Sequence, residues 1–309
     1  MYKKHCFIAL FLFLFFNLGF TQNGLIQSNN SYEFFNEKAL LLNIETLSSN
    51  AFEGRRTGTN GAQLAKDYIV DQFELFNVLP LTNKFEQSFA FFRRGKKYIG
   101  TNILGVVKGS EFQDKYIVIS AHYDHEGIKN GVIYNGADDD ASGTCALFSF
   151  AEYLEKNPPE YSVILAAFDG EEWGLQGSNY FVNYPVVPLE KIVLNLNMDM
   201  ISRSGSNTLF AVGTRFNKIL KEVILNFKQT GNAKLVAAHD GEDGLEDWTY
   251  SSDQGSFHKK GIPFIYFGVD DHKDYHMPTD DFENIQPKFY IESVKNIISV
   301  FNTIDTLTF

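Results

Sequence analysis

Cysteine is nearly absent from this sequence, which holds only Cys6 and Cys145 among 309 residues. Cys6 belongs to an N-terminal segment that we expect to be removed, so the mature chain is predicted to contain no intramolecular disulfide. A chain of this length buries enough apolar surface to fold without one. Its 44% content of hydrophobic residues is that of an ordinary globular protein.

Positive charge is also scarce in the sequence. It has 27 Lys and Arg against 38 Asp and Glu, which gives a net charge of −11 at pH 7. Nucleic-acid binding requires a concentrated basic surface, and attraction to an anionic membrane requires a polybasic segment. The basic cluster at 93–97 is explained by a turn between two strand-like runs. We therefore expect neither nucleic acid nor a membrane surface as a partner of the mature chain.

Long apolar runs are absent except at 6–16, directly after Lys3, Lys4 and His5. This run is shorter than the roughly 20 residues that a membrane-spanning helix needs. A basic flank, a short apolar run and then small or polar residues are typical of a secretory signal peptide; an uncleaved anchor helix is the alternative. The pattern predicts a signal peptide at 1–22, a loose polar arm at 23–38 and a single domain at 39–309, in a protein exported to the periplasm or secreted.

The mature part of the sequence alternates between amphipathic segments and short apolar runs. Helical spacing of apolar residues predicts helices within 64–76, 219–227 and 291–301. Strands are predicted at 116–120, 162–168, 192–196, 209–212 and 263–267, after a hairpin formed by 85–92 and 98–107. Buried-type strands that alternate with helices indicate an α/β fold, a three-layer sandwich whose mixed, mostly parallel central sheet has helices on both faces.

Acidic or histidine side chains follow four of the five predicted strands: His122 and Asp124, Glu171 and Glu172, Asp199, and His272 and His276. In open α/β sheets, ligands lie beyond the carboxyl ends of the strands. We therefore expect these side chains to share one cleft. A single Asp after a strand is usually a cap or a turn residue, but four coincidences indicate a site.

Three consecutive acids, Asp138, Asp139 and Asp140, precede a helix that is predicted to run to about residue 155. One carboxylate would suffice to cap that helix. Together with the other acids, the cleft would hold roughly six negative charges, about four of which two divalent cations would cancel. Imidazoles combined with carboxylates favour zinc over calcium or magnesium. Two zinc ions per chain are therefore expected.

Successive motifs carry a resemblance to a peptidase family: AHYDH at 121–125, NGADDDASG at 135–143, FDGEEWGLQGS at 168–178, NMDM at 197–200, and SDQGSFHKKGIPF and YHMPTDD within 252–281. In this order they resemble the motifs of metallopeptidase family 28, the aminopeptidase Y, aminopeptidase S and glutamate carboxypeptidase group of two-zinc exopeptidases. The resemblance covers the chain from about residue 47 to the C terminus. It implies a zinc-exopeptidase-like fold, with 39–309 as the catalytic domain.

The resemblance implies a set of five metal ligands. Asp139, the middle of the three consecutive acids, would bridge both zinc ions. His122 and Asp199 would complete one metal position, and Glu172 and His276 would complete the other.

The resemblance also implies roles for residues around the ligands. Asp124 would orient His122, and Asp280 would do the same for His276. Glu171 would be the general base, which takes a proton from the attacking water and delivers it to the leaving amine. Tyr275 matches a position where some family members hold a tyrosine that hydrogen-bonds the developing oxyanion; a packed loop aromatic is the alternative.

Some residues near the motifs remain without a metal role. His125 and His272 are spare imidazoles beside the expected ligands. Asp138 and Asp140 are interpreted as helix caps or local hydrogen-bond acceptors. The acidic, aromatic stretch 239–252 is interpreted as a lid beside the site or a solvated surface loop. A calcium-binding loop is a further alternative, although the spacing fits no full calcium motif.

The function implied is that of an exported zinc aminopeptidase acting on peptides with a free N-terminus. A carboxypeptidase or dipeptidase of the same family is the nearest alternative, but no basic pair near the motifs would clamp a substrate carboxylate. Glutaminyl cyclase, an acyltransferase relative, uses one zinc, and the intact Asp139 and Glu171-Glu172 pair argue against it. A metal-free binding module is disfavoured because all five ligands are present. The oligomeric state stays open.

Overall fold

The structure, a computed structural model, describes residues 34–309. The predicted signal peptide at 1–22 and residues 23–33 of the predicted arm lie outside the described residues. The rest of that arm is packed, since Phe35 is buried, Phe34 stacks on Tyr153, and the first helix already begins at Glu37. In the described part of the chain, no helix is long and apolar enough to span a membrane.

A mixed sheet of nine strands runs through the described residues, and two short strands, β5 and β6, form a separate hairpin. The strands are β1 Leu79–Pro80, β2 Glu86–Arg93, β3 Lys96–Val107, β4 Phe112–His122, β5 Gly127–Lys129, β6 Val132–Tyr134, β7 Tyr161–Phe168, β8 Ile192–Met198, β9 Thr208–Val212, β10 Lys234–Ala237 and β11 Phe264–Gly268. The order across the main sheet is β1-β3-β7-β4-β8-β11-β9-β10, and β2 also pairs with β3. Strands β7, β4, β8 and β11 are parallel, whereas β3 pairs with β2 and β7, and β9 with β11, in antiparallel fashion. The predicted strands and hairpin are all present, and the mixed sheet is confirmed.

Helices cover both faces of this sheet. They are α1 Glu37–Leu47, α2 Asn60–Leu75, α3 Gly143–Lys156, α4 Gln176–Asn183, α5 Lys218–Leu225, α6 Gln254–His258 and α7 Pro287–Asp305. Side chains alternate between the faces along each strand. Ile117 and Ile119 of β4 therefore belong to the buried cluster that includes side chains of α1, α2, α3, α5 and α7, while Val118 belongs to the cluster that includes side chains of α4 and α6. Each such buried aliphatic side chain contributes roughly 1.5–3 kcal/mol to folding. The packed sheet is therefore a rigid base for the loops at its strand ends.

The turn before α3 differs from the sequence prediction. A helix is predicted from the three acids onward, but α3 begins only at Gly143, and Asp139 (φ −106°, ψ 96°) and Asp140 (φ −129°, ψ 51°) have non-helical backbone angles. Gly136 precedes the turn with a φ of +56°, and a Cβ there would overlap the carbonyl oxygen of Asp139. Glycine is required at this position because a side chain would find neither the space nor a favourable backbone conformation. The non-helical backbone sends the consecutive carboxylates to different partners.

Candidate metal centre

The predicted site residues meet at one edge of the sheet. His122 is the last residue of β4, while Glu171 and Glu172 follow β7, Asp199 directly follows β8, and His276 lies in the loop after β11. These four strands are parallel, so their carboxyl ends and the loops that leave them converge. The convergence that the sequence predicts is therefore present.

Asp139 lies between two sets of donor atoms. Its Oδ1 is 3.3 Å from His122 Nε2, and its Oδ2 is 3.2 Å from His276 Nε2. His122 Nε2 also lies 3.5 Å from Asp199 Oδ1, and His276 Nε2 lies 3.4 Å from Glu172 Oε2. Tetrahedral ligands at about 2.0–2.2 Å from zinc are separated from one another by about 3.3–3.6 Å. These spacings fit a zinc ion in each set.

Buried polar atoms without partners lie at the same place. Among the described residues, Asp139 Oδ2, Asp199 Oδ1, Glu172 Oε1 and both ring nitrogens of His125 are buried and have no hydrogen-bond partner. Such atoms destabilise a fold unless a cation or another group satisfies them. Three groups of side chains bring their donor atoms close enough to hold an ion: His122, Asp139 and Asp199; His125, Asp139 and Glu172; Glu126, Glu172 and His276. Imidazole and carboxylate donors in these numbers fit zinc.

Asp280 has a different partner from the one that the resemblance implies. Its two carboxylate oxygens accept hydrogen bonds from the backbone N–H groups of Asp138 and Asp139, each at 3.0 Å. Within the described part of the chain, no hydrogen bond joins Asp280 to His276. Asp280 therefore supports the turn that carries Asp139, and the expectation that it orients His276 is corrected.

The two acids beside Asp139 are local acceptors, in agreement with the sequence interpretation. Asp140 accepts hydrogen bonds from the backbone N–H groups of His122 (3.2 Å), Gly143 (2.8 Å) and Met200 (3.2 Å). Asp138 accepts two hydrogen bonds of 2.7 Å from the backbone N–H and the hydroxyl of Ser202. On its other oxygen, Asp138 contacts the spare imidazole of His272 at 3.0 Å. The middle acid is thus the one that faces the cleft.

Asp124 connects His122 with Glu171. Its backbone carbonyl lies 3.0 Å from His122 Nδ1, whereas its carboxylate lies 3.8 Å away from that nitrogen. The carboxylate instead accepts a hydrogen bond of 3.0 Å from the backbone N–H of Glu171. His122 is therefore oriented mainly by the backbone of Asp124, and the side chain of Asp124 fixes the loop that carries the predicted base.

Sequence reasoning missed Arg55, which is fully buried behind the site. Its guanidinium donates hydrogen bonds to the carbonyl oxygens of Tyr123, Leu47, Asn135 and Gly136, at 2.6–2.9 Å. Arg55 thereby ties the loop after β4 to the turn that carries Asp139. The sequence contains no local signal for this role, because three of the four partners are backbone atoms 68–81 residues further along the chain.

Burial and neighbouring charges shift the acids of the cleft in opposite directions. Burial raises the pKa of the Glu171 carboxyl well above its usual range, and the Asp199 carboxylate adds to the rise. Burial also acts to raise the pKa of Asp139, but the imidazoles of His125 and His122 outweigh it and hold that pKa well below its usual range. Asp139 is therefore ionised at the centre of the site, where a cation would gain most from it.

A cavity of about 460 Å³ opens onto these side chains. Tyr275 lines it and stacks on His276, with ring centroids 3.9 Å apart. The acidic stretch 239–252 contributes Glu246, Trp248 and Tyr250 to the wall, which favours the lid interpretation over a solvated loop. Among the described residues that line the cavity, none is Lys or Arg.

Comparisons with curated proteins indicate peptidases. Aminopeptidase YwaD of Bacillus subtilis is 29% identical over 198 residues, which cover 60% of this chain and 40% of YwaD. A protein of Leptosphaeria maculans named as a zinc metalloprotease is 34% identical over 108 residues, covering 34% of this chain and 25% of its own length. The chain thus spans less than half the length of these curated relatives.

Solved structures share the fold over nearly their whole length. Glutaminyl cyclase of Porphyromonas gingivalis has a TM-score of 0.72 at 17% identity and covers 88% of this chain and 99% of its own. A Zn-dependent exopeptidase from Parabacteroides distasonis has a TM-score of 0.68 at 19% identity, with 87% and 98% covered. At these identities the likeness concerns the fold alone. The family model described as Peptidase family M28 matches residues 102–301, more than half of the sequence, and so the chain belongs to peptidase family M28.

Proposed function

We propose that this chain is an exported aminopeptidase that uses two zinc ions to release the N-terminal residue of peptides. The observation that carries the proposal is the Asp139 carboxylate, whose two oxygens face His122 and His276 separately. A carboxylate shared between two ligand sets is the arrangement expected for two metal ions about 3.5–4 Å apart. Membership of a peptidase family and the name of the relative YwaD support this reaction class.

The ligand roles follow the two sets of donor atoms. His122, Asp139 and Asp199 would hold one zinc ion, and Asp139, Glu172 and His276 would hold the other. When bound, the two ions would polarise the scissile carbonyl and lower the pKa of the attacking water. A relative named as a zinc metalloprotease supports zinc as the metal.

Glu171 is the general base in this proposal. Its side chain lines the cavity, and its backbone N–H is fixed by the Asp124 carboxylate at 3.0 Å. The Glu171 carboxylate would take a proton from the attacking water and deliver it to the nitrogen of the leaving amine. A carboxyl whose pKa is raised by burial suits this double role, because the raised pKa makes its ionised form a stronger base toward the proton that it must carry.

Tyr275 would donate a hydrogen bond from its phenolic hydroxyl to the developing oxyanion. The stacking of its ring on His276 fixes the side chain at the wall of the cavity. Burial raises the pKa of the Tyr275 phenol above its usual value. The hydroxyl therefore stays protonated and able to donate at neutral pH.

The charge of the cavity favours an aminopeptidase over a carboxypeptidase. Glu246 and Asp271 lie on its wall, outside the proposed ligand sets, and no described lining residue is Lys or Arg. A negative cleft attracts the ammonium of a free N-terminus. A carboxypeptidase would need Arg or Lys side chains to bind the substrate carboxylate.

Glutaminyl cyclisation is the second candidate, because the structural likeness to the Porphyromonas gingivalis glutaminyl cyclase spans 99% of that chain. A cleft that accepts a free N-terminus would serve either reaction. A peptide with N-terminal glutamine distinguishes them, since hydrolysis releases free glutamine and cyclisation does not.

The proposal is tested by metal content and by hydrolysis of amino-acid p-nitroanilides. The mature protein and Glu171→Gln are expected to hold about two zinc ions per chain, while Glu171→Gln loses about 100- to 10,000-fold in kcat. Glu222→Gln, an exposed change on α5, is the matched control and should match the unmodified protein. No bound metal after zinc reconstitution would contradict the proposal. Two zinc ions without anilide cleavage would redirect it to dipeptides or C-terminal substrates.

Export is proposed from the N-terminal pattern alone. It predicts that the full-length chain, expressed in a bacterial host, is recovered outside the cytoplasm with its N-terminus close to residue 23. Edman sequencing of the recovered protein measures this directly. A chain that stays in the cytoplasm and keeps residues 1–22 would contradict export without bearing on the metal centre.

A further inference from the structure

His125 is a buried histidine to which the ligand sets above give no role. It follows His122 by three residues in the loop after β4, and it is fully buried. Neither of its ring nitrogens has a hydrogen-bond partner among the described residues. A buried imidazole without partners is unfavourable, so this position calls for a group that binds the ring.

The Nδ1 atom of His125 faces two carboxylates of the centre. It lies 2.8 Å from Glu172 Oε1 and 3.7 Å from Asp139 Oδ2. Both oxygens are buried and also lack hydrogen-bond partners, so the 2.8 Å contact is an ion pair and not a hydrogen bond. The donor atoms of His125, Asp139 and Glu172 all lie within 4.8 Å of one another. Three unpartnered donors of these types form a ligand set for a divalent metal.

The protein backbone holds the His125 ring in this position. A Cβ on Gly136 would lie 2.5 Å from the Cγ atom of the ring and 2.6 Å from its Cδ2 atom. Arg55 fixes Gly136 in turn, by a hydrogen bond of 2.8 Å to its carbonyl oxygen. The ring therefore packs closely against a fixed segment, which prevents it from moving away from the two carboxylates.

We propose that His125 is a ligand of the second metal position, through Nδ1, together with Asp139, Glu172 and His276. The inference rests on the two-metal function proposed above. His125 approaches from the buried side, whereas the His276 side chain is 40% exposed and approaches from the cavity. The two ring centroids are 6.1 Å apart.

The proposal makes the two metal positions unequal. The first position has three protein ligands, which leaves a coordination site open to water or substrate. The second position has four protein ligands, one more than the first. The second position therefore fills first and holds its ion more tightly.

Zinc titration of the metal-free protein by calorimetry tests this order. The unmodified protein and a control, His258→Asn on α6, should bind two zinc ions with unequal affinity. His125→Asn should keep the weaker affinity and lose at least about 10- to 100-fold in the tighter one. Two unchanged affinities in a folded His125→Asn protein would overturn the proposal.

A crystal structure of the unmodified protein with bound zinc tests directly whether His125 is a ligand. Anomalous data at the zinc edge would locate the ions. The proposal predicts a zinc ion about 2.0–2.1 Å from His125 Nδ1. Zinc held by Asp139, Glu172 and His276, with His125 hydrogen-bonded to Glu172 instead, would overturn the proposal and leave the two-metal function intact. The absence of zinc from both positions would overturn both.

Discussion

Buried carboxylates line both the cleft and the layer directly beneath it, but different groups satisfy them. In the cleft, Asp139, Glu172 and Asp199 each have a buried oxygen without a hydrogen-bond partner. Beneath it, Asp138 and Asp140 accept hydrogen bonds from backbone N–H groups. The two sets share residue type and a largely buried environment. Hydrogen-bond saturation, rather than burial, therefore separates the acids that can bind a cation from those that hold the backbone in place.

This difference arises within three consecutive residues. In a regular helix, side chains of adjacent residues point in directions about 100° apart, but they remain on one short turn and would compete for the same N-terminal amides. In the non-helical turn found here, Asp138 reaches Ser202, Asp140 reaches Met200, and Asp139 alone faces the cleft. The backbone of the turn thus selects which of three identical side chains is available to a metal.

Removal of the metal should have the largest effect on activity and stability. It leaves the carboxylates of the cleft without a cation, whereas the hydrogen bonds of Asp138 and Asp140 beneath the cleft stay intact. Treatment with a chelator is expected to reduce peptidase activity by at least about 1,000-fold. The free energy of unfolding should fall by about 4 kcal/mol per site, relative to protein in zinc at 1,000 times the dissociation constant. Urea unfolding with and without chelator measures the change. Equal stability in both conditions would argue against a metal in the cleft.

Asp140→Ala should show the opposite behaviour, with a loss of stability that does not depend on metal. The change leaves the backbone N–H groups of His122, Gly143 and Met200 without their acceptor, and each such loss costs about 1–3 kcal/mol. We expect a decrease of at least about 3 kcal/mol, measured by urea unfolding in the presence of chelator. Asp67→Ala, an exposed change on α2, is the control and should alter stability by less than about 0.5 kcal/mol. Equal effects of the two substitutions would contradict the structural role of Asp140.

The stability of the metal-free protein should also depend on pH, because it contains buried carboxyls with raised pKa values. Burial raises the pKa of Asp280 to about 7 and that of Asp253 to about 6. These carboxyls bind protons more tightly in the folded state than in the unfolded state, where their pKa is about 4. Their contribution to stability is therefore lost as pH rises from about 4 to 7. Urea unfolding at pH 5 and pH 8 should show lower stability at pH 8, and a smaller difference in Asp280→Asn. A metal-free protein that gains stability over this range would contradict the prediction.

The smallest expected effect concerns the acids at the cavity wall, which are exposed and screened by solvent. Glu246→Gln should raise KM for substrates with a free N-terminus by about two- to fivefold, with kcat unchanged. The effect should disappear at high salt, since exposed charges are then screened. Steady-state kinetics at low and high ionic strength measure it, with Glu222→Gln as the control. A change in kcat rather than in KM would place Glu246 closer to the chemistry than proposed.

The sheet and the convergence of the site residues could be predicted from local sequence patterns. The apolar run at 162–168 corresponds to β7, in which every residue is buried. The hairpin predicted at 85–92 and 98–107 corresponds to β2 and β3, which pair in antiparallel register. His122, Glu172 and Asp199 follow such strands, and the geometry of a parallel sheet brings strand ends together. The position of these residues at one edge of the sheet could therefore be predicted from the sequence.

The partners of the supporting residues could not be predicted in the same way. Asp280 binds backbone N–H groups more than 140 residues earlier in the chain, and Arg55 binds the carbonyl of Tyr123, 68 residues later. Backbone N–H and C=O groups are present at every residue, so the sequence does not show which of them a distant side chain will satisfy. The environment of His125 depends in the same way on the turn at Gly136, whose conformation is absent from any local pattern.

The account depends most directly on the distinction between Asp139 and Asp140, two adjacent, buried and identical side chains. Replacement of each by asparagine preserves size and exchanges one carboxyl oxygen for an amide nitrogen, so the pair is matched. The measurement is zinc content per chain in each folded variant, with folding monitored by circular dichroism. We predict that Asp139→Asn loses both zinc ions, whereas Asp140→Asn keeps about two, as expected for a two-metal site. Zinc retained by Asp139→Asn at the level of the unmodified protein, or lost from folded Asp140→Asn, would contradict the account.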